Sequence, residues 1–337
     1  MDIFKEICKQ NIEDYGRKFE NWIVYLVNQN SKRTHFLYEL LQNAEDAGAK
    51  KIEFRLYKDR LEMEHDGRPF DENDIRGICG VGESTKIEDM IGKFGIGFKS
   101  VFAYTIRPSI YSANFSFAIN NYIMPERIEP RVGLKSGTTL FVLTFNKPET
   151  VNYAYNEIFK AFTDEVTPES ILFLNKIESV KIMVDGHDLD TEIKKSSTDR
   201  EKNQKIYDIK LTMNKVNKKS GNVATRTADY LLFSDSNAKP VKIAYQLSGY
   251  EIKAVHNSCF YSYLPTTMET HQNFYIHAPF NTTPSRDGIY EGDDYNKELM
   301  KRLGSTVCAS IVWLRSKGYL SINSLSLALP IYKYPET

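Results

Sequence analysis

Near the start of the chain, apolar residues recur at helical spacing. Ile3, Phe4 and Ile7, then Phe19, Trp22, Ile23, Leu26 and Val27, follow the i, i+3, i+4 pattern of two amphipathic helices divided by Gly16. Residues 34–47, THFLYELLQNAEDA, predict a stronger helix that stops at Gly48. The period then changes to two. KKIEFRLY alternates as a strand, and RLEMEHD follows as its hairpin partner. In FDENDIRGI, Asp71 is suited to cap a short helix. Residues 77–100, rich in glycine and small polar groups, predict a loop that runs into a helix at about 96–104. SIYSANFSFAI, NYIMPERIE and GTTLFVLTF predict three more strands. Helices on a mixed, mostly antiparallel sheet form an α+β fold, a two-layer sandwich.

Lys147–Pro148 marks a boundary, giving a first domain at 1–147 and a second α/β domain at 148–337. The second part predicts a helix in NYAYNEIFKAFTDE and a helix-turn-strand in PESILFLNKIESVKIMVDG. A polar hairpin loop in KKSSTDREKNQK precedes strands in IYDIKLTM, ADYLLFSD and VKIAYQL. A helix capped by Asp293 or Asp294 follows.

Composition narrows the function. Across 337 residues, 44 Lys plus Arg balance 44 Asp plus Glu, which gives no support to non-specific nucleic-acid binding as the main task. Cys8, Cys79, Cys259 and Cys308 match no zinc-site spacing and suggest a reduced, cytoplasmic protein. The N-terminus lacks the apolar core of a signal peptide, and no apolar stretch is long enough to predict a membrane span. The ending LALPIYKYPET fits a piece of a longer chain and a natural stop equally well.

The run IGKFGIGFKSVF nearly spells a P-loop. Gly92 and Gly97 have the right gap, but Phe98 stands where the lysine should follow. About fifty residues upstream, Glu39, Asn43 and Asp46 are spaced four and then three, on one face of their helix. Such a stripe is by itself usually a solvated helix face. Combined with HDGRPF and the glycine run, it gains chemistry. A carboxylate can orient and deprotonate a water that attacks phosphorus, and an amide oxygen suits Mg2+. Glycines let backbone N–H groups approach phosphate oxygens, and the N-terminus of a following helix attracts anions.

The order Glu-x-x-x-Asn-x-x-Asp, Asp-Gly, Gly-x-x-Gly-x-Gly resembles the GHKL ATPases, which share the Bergerat ATP-binding fold and include the Hsp-ninety-like chaperones. FLYELLQNAEDAGA, HDGRPFDENDIRGI, ILFLNKIESVKI and APFNTTPSRDGI look closest to the sacsin-like branch. The resemblance is strong over about 35–145 and patchy over 168–300. It implies Glu39 as general base and Asn43 as Mg2+ ligand, with Asp46 supporting the nucleotide's sugar-phosphate side. Gly92, Lys93, Phe94, Gly95, Ile96, Gly97 and Phe98 would form the triphosphate cradle, and Thr138 the strand threonine of the adenine region. Residues 77–91 would be the ATP lid, where Ser84, Thr85 and Lys86 meet the γ-phosphate. Arg286 would sense the γ-phosphate from the second domain; as a surface arginine it would pair with Asp287. Lys99 would be a helper at the phosphates or a solvated lysine.

One departure touches base recognition. The superfamily has Asp-x-Gly, whereas here His65 stands two places before Gly67 and the carboxylate is next door at Asp66. A one-residue shift along a strand reverses the side chain, so Asp66 needs a rebuilt turn to point inward; otherwise His65 lines the pocket. Asp66 is the expected adenine contact. The implied activity is Mg2+-dependent ATP binding and slow hydrolysis. It would drive lid closure and dimerisation in a chaperone-like or anti-phage defence protein, with output to a protein partner or C-terminal effector domain. The alternatives are a non-hydrolysing nucleotide sensor or scaffold and a DNA-processing GHKL ATPase. No histidine precedes His35, which removes the phosphoacceptor a histidine kinase needs.

Overall fold

The structure, a computed structural model, describes residues 2–15, 32–80, 97–283, 288–320 and 324. It is an α/β chain with a large mixed, mostly antiparallel sheet and several helices. Two compact units are formed. The first comprises Met1–Thr167, Asn175–Ile193 and Asn214–Ala224; the second comprises Pro168–Leu174, Lys194–Met213 and Thr225–Thr337.

In the first unit the strand order is β7-β1-β2-β6-β3-β4-β5. The strands are β1 (Lys51–Leu56), β2 (Arg60–His65), β3 (Ser109–Ser112), β4 (Phe115–Asn120), β5 (Met124–Arg127), β6 (Thr139–Thr144) and β7 (Ser179–Val184). β1 and β2 form the expected hairpin, and β1 pairs in parallel with β7. Ile52, Phe54 and Leu56 are buried, and Phe54 meets Phe162 of helix α4 (Ala154–Asp164) with ring centroids 5.3 Å apart. Arg55, on the other parity of β1, forms ion pairs with Glu53, Glu62 and Glu64. Strand alternation thus separates an apolar face from a charged one.

Helix α1 (Ile3–Tyr15) buries Ile3, Phe4 and Ile7, as its periodicity predicts. The second expected N-terminal helix lies outside the described residues. Helix α2 (Phe36–Asp46) follows a single 3-10 turn at Arg33–His35. Gly48, at φ +74°, ends it: Ala49 N–H donates to Ala44 O and Gly48 N–H to Glu45 O. Asp71 caps helix α3 (Glu72–Cys79) in a capping box with Asp74.

Three local expectations change. SIYSANFSFAI is two strands, β3 and β4, because Ala113 takes a left-handed turn at φ 49°. The helix expected near 96–104 is a 3-10 helix over Gly97–Ala103. KKSSTDREKNQK is no loop over most of its length: strand β8 (Leu189–Glu201) runs through it and turns at a 3-10 segment, Lys202–Gln204.

β8, β9 (Ile206–Asn217) and β10 (Val223–Ser234) contribute residues to both units. The second unit continues with β11 (Lys242–Ser248), β12 (Glu251–Lys253), β13 (Cys259–Ser262), β14 (Leu264–Glu269) and β15 (Tyr275–His277). Helix α5 (Asp294–Ser316) is capped by Asp293, whose side chain accepts from Asn296 N–H. Leu299, Leu303, Trp313 and Leu314 of α5 join Phe233, Ile243, Phe274 and Ile276 in one apolar core. No described helix is long and apolar enough to cross a membrane.

Candidate functional site

Helix α2 builds the site because its two faces differ. Phe36, Leu37, Leu40, Leu41 and Ala44 are buried on one side. Glu39 lies on the polar side and is also buried, at 9% exposure, while Asn43 and Asp46 along the same stripe are half-buried. The stripe is therefore not a plain solvated helix face.

Glu39 is fixed from two directions. One turn earlier, His35 brings Nε2 to 3.4 Å from Glu39 Oε1. On the other side the backbone of Gly97 closes in. A Cβ built on Gly97 would stand 2.7 Å from Glu39 Cδ, and nearer still to Oε2. Any larger residue here would have to displace the Glu39 carboxylate from this position. The fifty-residue link between the helix stripe and the glycine run is thus realised as atomic contact at its last glycine.

Gly67 is a second close approach. A Cβ there would lie 2.9 Å from Ala47 O and 3.0 Å from Ala49 N, so the end of β2 packs directly on the end of α2. Arg68 N–H donates to Ala47 O at 2.7 Å across the same contact.

Of the two candidates for the base, His65 is buried at 2% exposure, while Asp66 is exposed. Asp66 Oδ1 accepts from Lys50 and Lys51 N–H, both at 2.8 Å, and so faces the turn before β1. Strand parity explains this, since Leu61, Met63 and His65 all point inward. His65 Nδ1 accepts from Gly67 N–H at 3.1 Å, and burial lowers its pKa to about 4. It is a neutral imidazole with its proton on Nε2.

Thr138 precedes β6, with its hydroxyl on Lys135 O at 2.9 Å. Its neighbour Thr139 is fully buried, stands opposite His65 in the β2–β6 register, and shares a 2.6 Å hydrogen bond with Ser112. Phe98 is a core side chain, its ring 5.7 Å from that of Phe141. Lys99 is neither solvated nor extended outward: it is 1% exposed, and its ammonium donates to two backbone carbonyls. Lys86, Gly92, Lys93, Phe94, Gly95, Ile96 and Arg286 lie outside the described residues, as do Ser84 and Thr85.

Sequence reasoning missed His35, Thr139, Ser112 and the burial of Lys99. The His35–Glu39 spacing of four was a usable signal. The His65–Thr139 pairing depends on strand register and leaves no local signature. Glu45, also on α2, is buried and accepts backbone N–H groups from Asn175, Lys176 and Ile177 at 2.5–3.1 Å, which anchors the helix to the segment before β7.

Residues 63–133 match the family model described as the Sacsin domain. This stretch is sacsin-like. It covers the end of β2, the His65–Gly67 turn, α3, the 3-10 segment and β3–β5. The chain is 30% identical over 178 residues to "Protein NO VEIN" of Arabidopsis thaliana, a match covering 44% of this chain and 6% of that protein. It is 34% identical over 122 residues to "Sacsin" of Homo sapiens, covering 30% of this chain and 3% of that protein. The matches therefore span only a small fraction of these relatives. A solved structure titled "Crystal Structure of N terminal domain of a DNA repair protein" aligns with a TM-score of 0.46 at 13% identity, over 79% of this chain and 91% of that one.

Proposed function

We propose that the chain binds ATP with Mg2+ between helix α2 and the Gly97–Ala103 segment, hydrolyses it slowly, and uses the cycle as a conformational switch. The observation that carries this reading is the packing of the Glu39 carboxylate against the Cα of Gly97, with His35 3.4 Å away on its other oxygen. A carboxylate held in one orientation beside a glycine turn suits a group that must align and deprotonate a water in line with a phosphate.

The donor set on α2 fits Mg2+. A half-buried amide oxygen at Asn43, one turn from a buried carboxylate, suits a hard cation that keeps most of its waters. When bound, Mg2+ would neutralise charge developing on the phosphate oxygens. Asn43 would hold it, Asp46 would support the sugar-phosphate side, and the backbone at Gly97 would line the phosphates. Base recognition falls to the buried His65–Thr139 pair in preference to Asp66, whose carboxylate is engaged by Lys50 and Lys51 N–H. The output, to a second copy of the chain or a protein partner, is part of the same proposal.

The test measures ATP binding and hydrolysis in parallel on wild type and Glu39→Gln. Hydrolysis by the wild type with a loss of about 10²–10⁴-fold in the variant, at retained binding, supports the base assignment. Binding without turnover in the wild type would replace it with the sensor reading. Dimerisation is read by solution mass with a non-hydrolysable ATP analogue; an unchanged monomer removes that part.

A further inference from the structure

The sequence offers two readings of Lys99, a phosphate helper or a solvated side chain, and the structure supports neither. Lys99 sits two residues after Gly97 in the 3-10 segment and is 1% exposed. Its Nζ donates to Ile78 O at 2.5 Å and to Tyr122 O at 2.6 Å. The first carbonyl belongs to the last turn of α3, the second to the turn between β4 and β5. Burial lowers the lysine's pKa to about 8.

A second side chain makes the same connection. Asn11 of α1 is buried, and its Nδ2 donates to Cys79 O at 3.3 Å and to Ile123 O at 2.8 Å. Lys99 thus takes carbonyls 78 and 122, and Asn11 takes carbonyls 79 and 123. Two donors from distant parts of the chain fasten the same two backbone stretches at consecutive residues. Other side chains hold the rest of the segment: Ser100 Oγ donates to Gly97 O at 2.6 Å, Lys147 Nζ to Phe102 O at 2.9 Å and Thr150 Oγ1 to Ala103 O at 3.0 Å.

The fastening matters because the Gly97 backbone lies against Glu39, where an added Cβ would meet the carboxylate; shifting the segment would change that approach. We propose that Lys99 and Asn11 form a two-strap clasp that positions Gly97 against Glu39, so that helix α1 is part of the scaffold of the nucleotide site. Both are positioning residues, since they act through Gly97. The functional consequence rests on the ATP-site reading; the clasp itself is tested without nucleotide.

The experiment is amide hydrogen exchange on the unliganded full chain, followed by Mg·ATP turnover. Lys99→Met is expected to speed exchange at residues 97–103 about tenfold more than in the β1–β2 hairpin, as expected from losing two charge-assisted hydrogen bonds. Asn11→Ala should accelerate the same amides by a smaller factor, although it lies on another helix. In turnover, kcat should fall about tenfold with KM changed less than about twofold, because neither side chain meets the ligand. Exchange that rises uniformly, hairpin included, or that stays at the wild-type rate at 97–103, overturns the clasp. Should Lys99→Met fail to fold, the Asn11→Ala exchange map decides the question by the same criterion. A wild type that neither binds nor hydrolyses ATP refutes the nucleotide reading, and the exchange maps then still decide whether the clasp holds Gly97.

Discussion

Two buried polar side chains, Asn296 of the second unit and Glu39 of the first, are set in different surroundings. In the second unit, Asn296 is 1% exposed and its bonding is closed locally: its amide donates to Asn281 O and Tyr290 O and its oxygen accepts from Asn281 N–H, at 2.8, 2.9 and 2.8 Å. Around it the core is aliphatic and aromatic, with Phe233 and Tyr319 both packed on Trp313. In the first unit, buried Glu39 has a glycine backbone that an added Cβ would crowd on one side and an imidazole on the other. A polar group whose bonds close on its own scaffold is built for stability. A buried carboxylate set against a glycine backbone fits the proposed chemistry, and functional sites commonly cost stability elsewhere. The comparison predicts that substitutions in the first unit separate activity from folding and that substitutions in the second unit do not.

The sharpest break should come at Glu39. Glu39→Gln keeps the volume beside Gly97 and removes the proposed base, so turnover should fall about 10²–10⁴-fold with little loss of stability. A variant that unfolds in step with its loss of turnover would make Glu39 structural, like Asn296. Next in size is Phe274→Ala in the second unit. Phe274 is 1% exposed and packs on Tyr245 at 4.9 Å, so its truncation should cost about 3–5 kcal/mol in chemical denaturation. Turnover per folded molecule should then be unchanged; a selective loss of turnover would blur the division.

A third prediction uses the buried histidines, which the units share. Burial holds His65 at a folded pKa of about 4 against an ordinary 6.5, and lowers His277 of the second unit well below 6.5. The unfolded chain takes up these protons first. The stability contribution of neutral His65 is therefore fully present above pH 6.5 and is lost as the pH falls from 6.5 to about 4, by about 3 kcal/mol. The difference between wild type and His65→Gln isolates that share from that of His277. Denaturation curves whose difference stays flat from pH 7 to 4 would remove His65 from the neutral interior.

What was legible in the sequence was local. The 3.6 period of α2, its glycine stop and the alternation of β1 and β2 each lie within a dozen residues. Strand parity even marked His65 as the inward residue, although the carboxylate chemistry of Asp66 argued the other way. The split between β3 and β4 was hidden because Ala113 adopts the left-handed turn without a glycine or proline to announce it. The burial of Lys99 was hidden because a lysine after a glycine run has a strong electrostatic reading, while its carbonyl partners are 21 and 23 residues away. Register and burial are properties of the assembled unit, so Thr139 opposite His65 could not be read from either strand alone.

The smallest expected effect separates a helix end that matters for folding from one that matters for the site. Helix α3 begins at the Asp71–Asp74 capping box and ends at the carbonyls that Lys99 and Asn11 hold. Asp71→Ala removes the N-terminal cap and should cost about 1 kcal/mol. The exposed ion pair of Arg68 with Asp71, at 3.2 Å, adds little to that, and Arg68 retains Asp74 at 2.7 Å. Because the clasp grips the opposite end of the helix, kcat should be unchanged while the unfolding midpoint drops. A fall in kcat of the size expected for Lys99→Met would mean that α3 transmits strain along its whole length, and the clasp would then extend from Lys99 back to the cap.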